Sequence, residues 1–176
     1  ELYANLFKST LLVELDRVGV FKDLEVGKQK LPESLKTIEE QKGRWRAELS
    51  PEDRRQRLQT LLEALKLLWG GGRTARMLAD LAPKFLAYAR LRVKHPIFLE
   101  ALLARYENGK YALELEPVKN ALTKFQDYRE QTLFGLEPGI FGNEEEIRST
   151  LSAYGTVLTV HEALAQAKQD VGGLWS

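Results

Sequence analysis

The chain has 176 residues, carries 26 Lys+Arg against 25 Asp+Glu, and is 44% hydrophobic and 29% charged, near the globular average. That length suits one domain, or one domain with an appendage, and is enough for a real core. The absence of cysteine excludes a disulfide framework, thiolate metal sites and a cysteine nucleophile. No apolar run reaches the length of a membrane span and no signal-peptide pattern opens the chain, so a soluble cytoplasmic protein without a membrane partner is expected. The text starts on Glu1 in mid-pattern, and the sequence is expected to be a fragment with upstream residues missing.

The net charge of +1 conceals an asymmetry. Residues 1–110 hold 21 Lys+Arg and 15 Asp+Glu, net +6, whereas residues 111–176 hold 5 and 10, net −5. A polyanion would meet the first part.

From Phe7 to Leu15 the odd positions read Phe, Ser, Leu, Val, Leu and the even ones Lys, Thr, Leu, Glu, a period of two that predicts a half-buried strand. Gly19 supplies a turn before Val20-Phe21. Residues 22–49 hold no period and contain Gly27, Pro32 and Gly43, which predicts a flexible excursion with a short helix near 33–42. Ser50-Pro51-Glu52-Asp53 is a helix start, and Leu58, Leu61, Leu62, Leu65, Leu68 and Trp69 form the stripe of the helix that follows, ended by Gly70-Gly71-Gly72.

Next come a strand over about 84–94 and a helix over about 96–107 presenting Leu99, Leu102, Leu103 and Tyr106. Asn108-Gly109 makes a turn into a short strand of Tyr111, Leu113 and Leu115. Pro117 opens a helix with Val118, Ala121, Leu122 and Phe125. Three glycines and Pro138 predict a loop over 132–143, before a helix led by Glu144-Glu145-Glu146. The last helix has Thr159 as cap with Glu162 three residues on, and Val160, Ala163, Leu164, Ala167 and Val171 inside.

The segment Gly70–Lys94 carries the clearest functional signal. Along its strand Phe85, Ala87, Ala89, Leu91 and Val93 alternate with Lys84, Leu86, Tyr88, Arg90, Arg92 and Lys94, so the outward face has four cations, one aromatic and no acid. Cations can track phosphates while the Tyr88 ring offers a base a stacking platform. Pairing with acids such as Glu14 or Glu114 is the other reading, and the strand alone leaves both open. The preceding loop favours the first: Gly70, Gly71 and Gly72 admit a phosphate close to the backbone, and Arg73, Thr74 and Arg76 add donors. The triplet lacks the Gly-Lys-Ser/Thr of a phosphate-binding NTPase loop, and its simpler role is a helix C-cap.

Trp45, between Arg44 and Arg46, either wedges against a base or anchors the 22–49 stretch on the domain or a neighbouring subunit. His95 and His161 lack metal-ligand spacing; His95 reads as a turn residue before Pro96, and His161 as a polar residue in a first helical turn. No catalytic residue, metal or cofactor is expected, and Glu39-Glu40 and Glu144–Glu146 read as solvated helix faces. Asp16 and Asp23 are the acids to test for RNA cleavage.

The order Leu11-Leu12-Val13-Glu14-Leu15-Asp16-Arg17-Val18-Gly19-Val20-Phe21, a long helix, Gly-Gly-Gly-Arg-Thr-Ala-Arg and then Pro83-Lys84-Phe85 resembles the DevR-like CRISPR proteins, the repeated backbone subunit (seventh Cas protein family) of type I effector complexes. The similarity spans about residues 3–94. It implies an α/β (α+β) fold built on a modified RNA-recognition-motif, ferredoxin-like palm, incomplete at its N-terminus. It further implies copies polymerising along a guide RNA, with other effector subunits as partners and target nucleic acid met through the guide. By position, Gly70–Arg76 would be the guide-contacting loop; the cationic strand is not a family motif. The family's first strand and Ile-Ser-Gly helix start are absent, its base-displacing thumb cannot be placed, and after residue 110 the resemblance fades. The expected organisation is an RNA-binding palm over 1–116 and a mainly helical portion over 117–176 packed on it. The alternatives are an RNA-cleaving relative and a protein–protein interaction module.

Overall fold

The computed structural model describes residues 6–24, 35–41, 44–70 and 79–175. They form a mixed α+β fold of small sheets and four α-helices.

The first sheet is antiparallel, in the order β1 (Val20–Leu24), β3 (Arg44–Leu49), β2 (Leu35–Gln41). Of the flexible excursion expected over 22–49, residues 25–34 and 42–43 lie outside the described residues; the described remainder forms these strands, and Leu35–Gln41 is the strand β2 where a helix is expected near 33–42. The alternation that would have announced these strands is weak because the sheet buries little: Ala47 is its buried apolar residue among those described. Gly19 adopts φ +67 in the turn entering β1, and a Cβ there would stand 2.9 Å from Leu49 Cδ1. Residues 7–15, expected as a strand, belong to no strand, and among the described residues no ladder pairs them with one.

Helix α1 (Pro51–Leu65) begins as the sequence predicts, with Ser50 Oγ accepting from the Asp53 amide at 3.1 Å and Pro51 in the first turn. It stops at Leu65, short of the glycines. Trp69–Gly70 then forms β4, which pairs with β5 (Ala79–Asp80), Gly70 lying opposite Ala79. Of the expected stripe Leu58 is buried, whereas Leu68 and Trp69 fall outside the helix and are exposed.

The principal sheet has the order β10-β9-β6, built from β6 (Phe85–Leu91), β9 (Arg129–Leu136) and β10 (Thr156–Leu158). β6 runs antiparallel to β9 and β10 parallel to it. Between β6 and β9 the expected helix over 96–107 gives way to turns and a hairpin of β7 (Ala104–Glu107) and β8 (Lys110–Leu113). Asn108 (φ 50) and Gly109 (φ 80) are its two central residues, the left-handed pair that a two-residue hairpin needs. That turn commits both flanks to strands and overrides the helical spacing of Leu99, Leu103 and Tyr106, all exposed.

Helix α2 (Leu115–Lys124) follows, and Leu115, expected in the strand before it, begins it. Residues 132–136, expected as loop, are instead the most buried part of β9: Leu133, Phe134 and Leu136 have no exposure and Thr132 has 7%. A strand buried on both faces shows no alternation, which is why its glycine reads as a break in the sequence. Gly135 has a role there, since a Cβ would lie 2.8 Å from Val160 Cα. It lets α4 (Val160–Gly172) press on the strand. Helix α3 (Glu144–Leu151) starts at the three glutamates, and α4 has a complete capping box of Thr159 and Glu162.

One face of the principal sheet carries the core of Phe134, Leu136, Val118, Leu122, Ile147 and Leu151 with α2 and α3. The other lies under α4, and α1 rests on α4 through Gln59 Nε2 donating to the Lys168 carbonyl (3.3 Å) and Lys168 pairing with Glu63 (3.1 Å). The expected division at residues 116 and 117 falls inside α2, and β6 before it pairs along its length with β9 after it.

Candidate nucleic-acid interface

The alternation in β6 is realised, and the register fixes where each face looks. Ala87 pairs with Phe134, so the odd positions share the face of the α2/α3 core. Tyr88 pairs with Leu133 and Leu86 with Gly135, so the even positions face α4. The face expected to be an open cationic surface is therefore covered in part by a helix, and its side chains have acidic partners.

Tyr88 donates its hydroxyl to Asp170 Oδ2 of α4 at 2.6 Å, and burial, reinforced by that carboxylate, pushes its phenol well above the ordinary range. A ring held this way is not a free stacking platform. Arg90 sits between two acids, with Nε 3.2 Å from Asp170 Oδ2 and Nη1 3.4 Å from Glu130 Oε2. Arg92 lies 4.0 Å from Glu130 Oε1 and donates to the Asp127 carbonyl at 2.6 Å. Lys94 binds Asp16 Oδ2 (2.6 Å) and Glu14 Oε2 (3.1 Å). Lys84 binds Asp80 at 2.5 Å. The pairing weighed from sequence as the other reading is thus present for Glu14, while Glu114 serves Arg105 instead.

These pairs are unequal. Asp170 is only 12% exposed, so the Tyr88–Asp170–Arg90 group is built into the α4 contact, whereas the Arg92 and Lys94 side chains are 64% and 55% exposed. An exposed ion pair contributes about 0–1 kcal/mol and readily exchanges partners. The strand expected over about 84–94 ends at Leu91, and Arg92 and Lys94, in the chain just after it, are therefore the cations of this segment that an incoming phosphate could recruit.

Of the loop residues, Gly70 ends β4, while Gly71, Gly72, Arg73, Thr74 and Arg76 lie outside the described residues. Gly70 and Ala79 are paired, so the chain leaves the ribbon and re-enters it side by side. Arg44, Trp45 and Arg46 are not in an irregular excursion as expected. They lie in β3, the middle strand of the first sheet, where Trp45 is half-buried opposite Leu24 and Glu39 and Arg46 pairs with Glu48. Glu39-Glu40 likewise sits in β2 and not on a helix.

Among the candidate acids, Asp16 is held below its ordinary value chiefly by the hydrogen bond from Lys94, which keeps it ionised as a structural partner. His95 is exposed and stacks on Phe125 (centroids 4.5 Å apart), and His161 lies in the first turn of α4. Among the described residues no group of three or more His, Asp or Glu is placed to hold a metal ion, and no helix is long and apolar enough to cross a membrane.

Sequence reasoning missed Asp170, Glu130 and the groove beside β6, a space of about 570 Å³ between Thr10–Asp16, α1 and β6. Asp170 lies within the predicted last helix, but nothing in the sequence says that this helix crosses the even face of β6. No family model, curated protein or solved structure matches the chain.

Proposed function

We propose that this chain is a guide-RNA-binding backbone subunit of a type I CRISPR antiviral surveillance complex, built on a modified RNA-recognition-motif, ferredoxin-like palm and doing no bond chemistry. The ordered run that resembles the DevR-like proteins supports the family. The observation that carries the RNA reading is the Gly-Gly-Gly-Arg-Thr-Ala-Arg run, which leaves at Gly70 from a ribbon that takes the chain back at Ala79. Bare backbone, a hydroxyl and two guanidiniums in seven residues suit a phosphodiester.

The strand's share is smaller than its charge suggests. Arg92 and Lys94 join Arg73 and Arg76 in holding phosphates, while Lys84, Tyr88 and Arg90 serve the protein's own acids. Neutralising about four phosphates on a single strand gives a slope of log K against log salt near −3. A filter-binding titration measures it. Arg73→Ala with Arg76→Ala should bring the slope to about −1.5, and a wild-type slope near zero overturns the reading.

The acid pairing of Arg90, Arg92 and Lys94 favours one second reading, in which β6 is structural and the chain is a protein–protein interaction module. Purified protein free of nucleic acid, together with salt-independent partner binding, supports that reading. RNA cleavage through Asp16 or Asp23 would appear as a cut product that depends on these residues when guide, target and magnesium are supplied.

A further inference from the structure

β6 ends its sheet, with β9 on one edge and, among the described residues, no strand on the other. All seven of its residues are nevertheless half-buried. A half-buried edge without a ladder leaves its outward N–H and C=O groups to water in the groove or to an incoming strand. Alongside it runs the groove of about 570 Å³, floored in part by Ala87, Ala89 and Leu58, with Thr10–Asp16 as its far wall. Among the described residues no backbone hydrogen bond joins that wall to β6.

The wall has the sequence of a strand without the structure of one. Phe7–Leu15 alternates with a period of two, yet Leu11 and Leu12 are 57% and 47% exposed. Its two ends are fastened. Lys8 Nζ donates to the Leu99 carbonyl at 3.1 Å at one end; at the other, Lys94 holds Glu14 and Asp16, and Arg54 Nη2 donates to the Leu15 carbonyl at 3.0 Å. Residues 9–13 span the interval, with unladdered backbone and two exposed leucines beside a strand edge that needs partners.

We propose that Ser9–Val13 is a strap that closes onto the free edge of β6 as a fourth strand, giving the order strap-β6-β9-β10. Closure pairs the edge of β6, draws Leu11 and Leu12 from water and fills the groove. The fastened ends make this inexpensive in chain entropy, because the two sides of the loop are already together. The alternation puts Leu11 and Val13 on one side of the sheet and Thr10 and Leu12 on the other, as a strand between two layers requires. The inference concerns the sheet edge and stands apart from the RNA reading.

Hydrogen exchange of the full chain, read residue by residue by NMR, tests it. Closure makes the outward amides of β6 and the amides of 9–13 exchange about tenfold or more slowly than in a Leu12→Pro variant, which cannot join a ladder through that residue. Leu11→Asp with Leu12→Asp leaves the backbone donors intact and should lose the same protection because those side chains resist burial. Wild-type β6 edge amides exchanging as fast as those of exposed turns overturn the proposal without recourse to any variant. Protection that persists in both variants overturns it as well.

Discussion

From Ile97 to Val171 buried apolar residues recur in turn, strand and helix alike, whereas before Ile97 the described residues bury only Ala47 and Leu58 and leave Phe7, Leu67 and Trp69 at 80%, 76% and 65% exposure. The later stretch makes its own core. The earlier one contributes β6, whose Phe85, Ala87, Ala89 and Leu91 pack on that core, while its α1 is held largely by polar contacts: Arg55 donates to the Leu174 carbonyl, Arg54 stacks over the Trp175 ring at 4.3 Å, and Lys168 pairs with Glu63. The charge asymmetry of the sequence is partly spent in the same way, since Arg90 and Arg92 of the basic part meet Glu130 and Asp170 of the acidic part. A strongly cationic strand can thus reflect a partner within the same chain as readily as a polyanion outside it.

The largest test of this contrast is Phe134→Ala, which removes a fully buried ring from the centre of β9 and should cost about 3–5 kcal/mol in chemical denaturation. Leu61→Ala, on a residue 36% exposed in the earlier stretch, should cost under about 1 kcal/mol. Comparable losses would mean that the two stretches share one core.

Next in size is Asp170→Asn, which leaves Arg90 with Glu130 as its one acidic partner and weakens the acceptor of Tyr88 at a site 12% exposed; about 1–3 kcal/mol is expected from thermal unfolding. The tyrosine gives a second readout. Because the folded protein favours the neutral phenol, the contribution of Tyr88 is fully present below the unfolded tyrosine value of about 10 and falls as pH rises beyond it. Tyr88→Phe should remove that alkaline loss and the late component of tyrosinate absorbance.

Smaller still is the comparison of the two helix caps. Thr159→Ala should lower the stability of the cooperative unit by about 1 kcal/mol, because α4 is part of the core. Ser50→Ala should fray α1 locally with less effect on global unfolding, which amide exchange distinguishes from denaturation.

The smallest effect belongs to Lys94 with Asp16. Asp16 is lowered by Lys94, so the pair's contribution is present above the unfolded carboxylate range and is lost as pH falls through the depressed value. Lys94 is raised by Asp16 first and Glu14 second, so its contribution is full below the unfolded lysine value and is lost as pH rises through the raised one. A pH series of thermal midpoints should be flatter at its acid end in Asp16→Asn.

What the sequence determined by itself was local. The cap at Ser50, the capping box of Thr159 and Glu162, the turn at Asn108-Gly109 and the two-sided character of β6 each depend on residues within a few positions of one another, and each is present in the structure. The tertiary structure decided everything that needed a distant neighbour. It made β9 a central strand although its residues do not alternate, left 7–15 without a ladder although its residues do, and made strands of Leu35–Gln41 and Arg44–Leu49 by pairing them with each other and with Val20–Leu24. It also laid Asp170 against Tyr88 and Arg90, 82 residues away from the former, so that a face legible as cationic from its own residues became largely neutral. The reason is common to all of these: caps and turns are satisfied by bonds within the segment, whereas the state of a strand edge or a charged face is set by what packs against it.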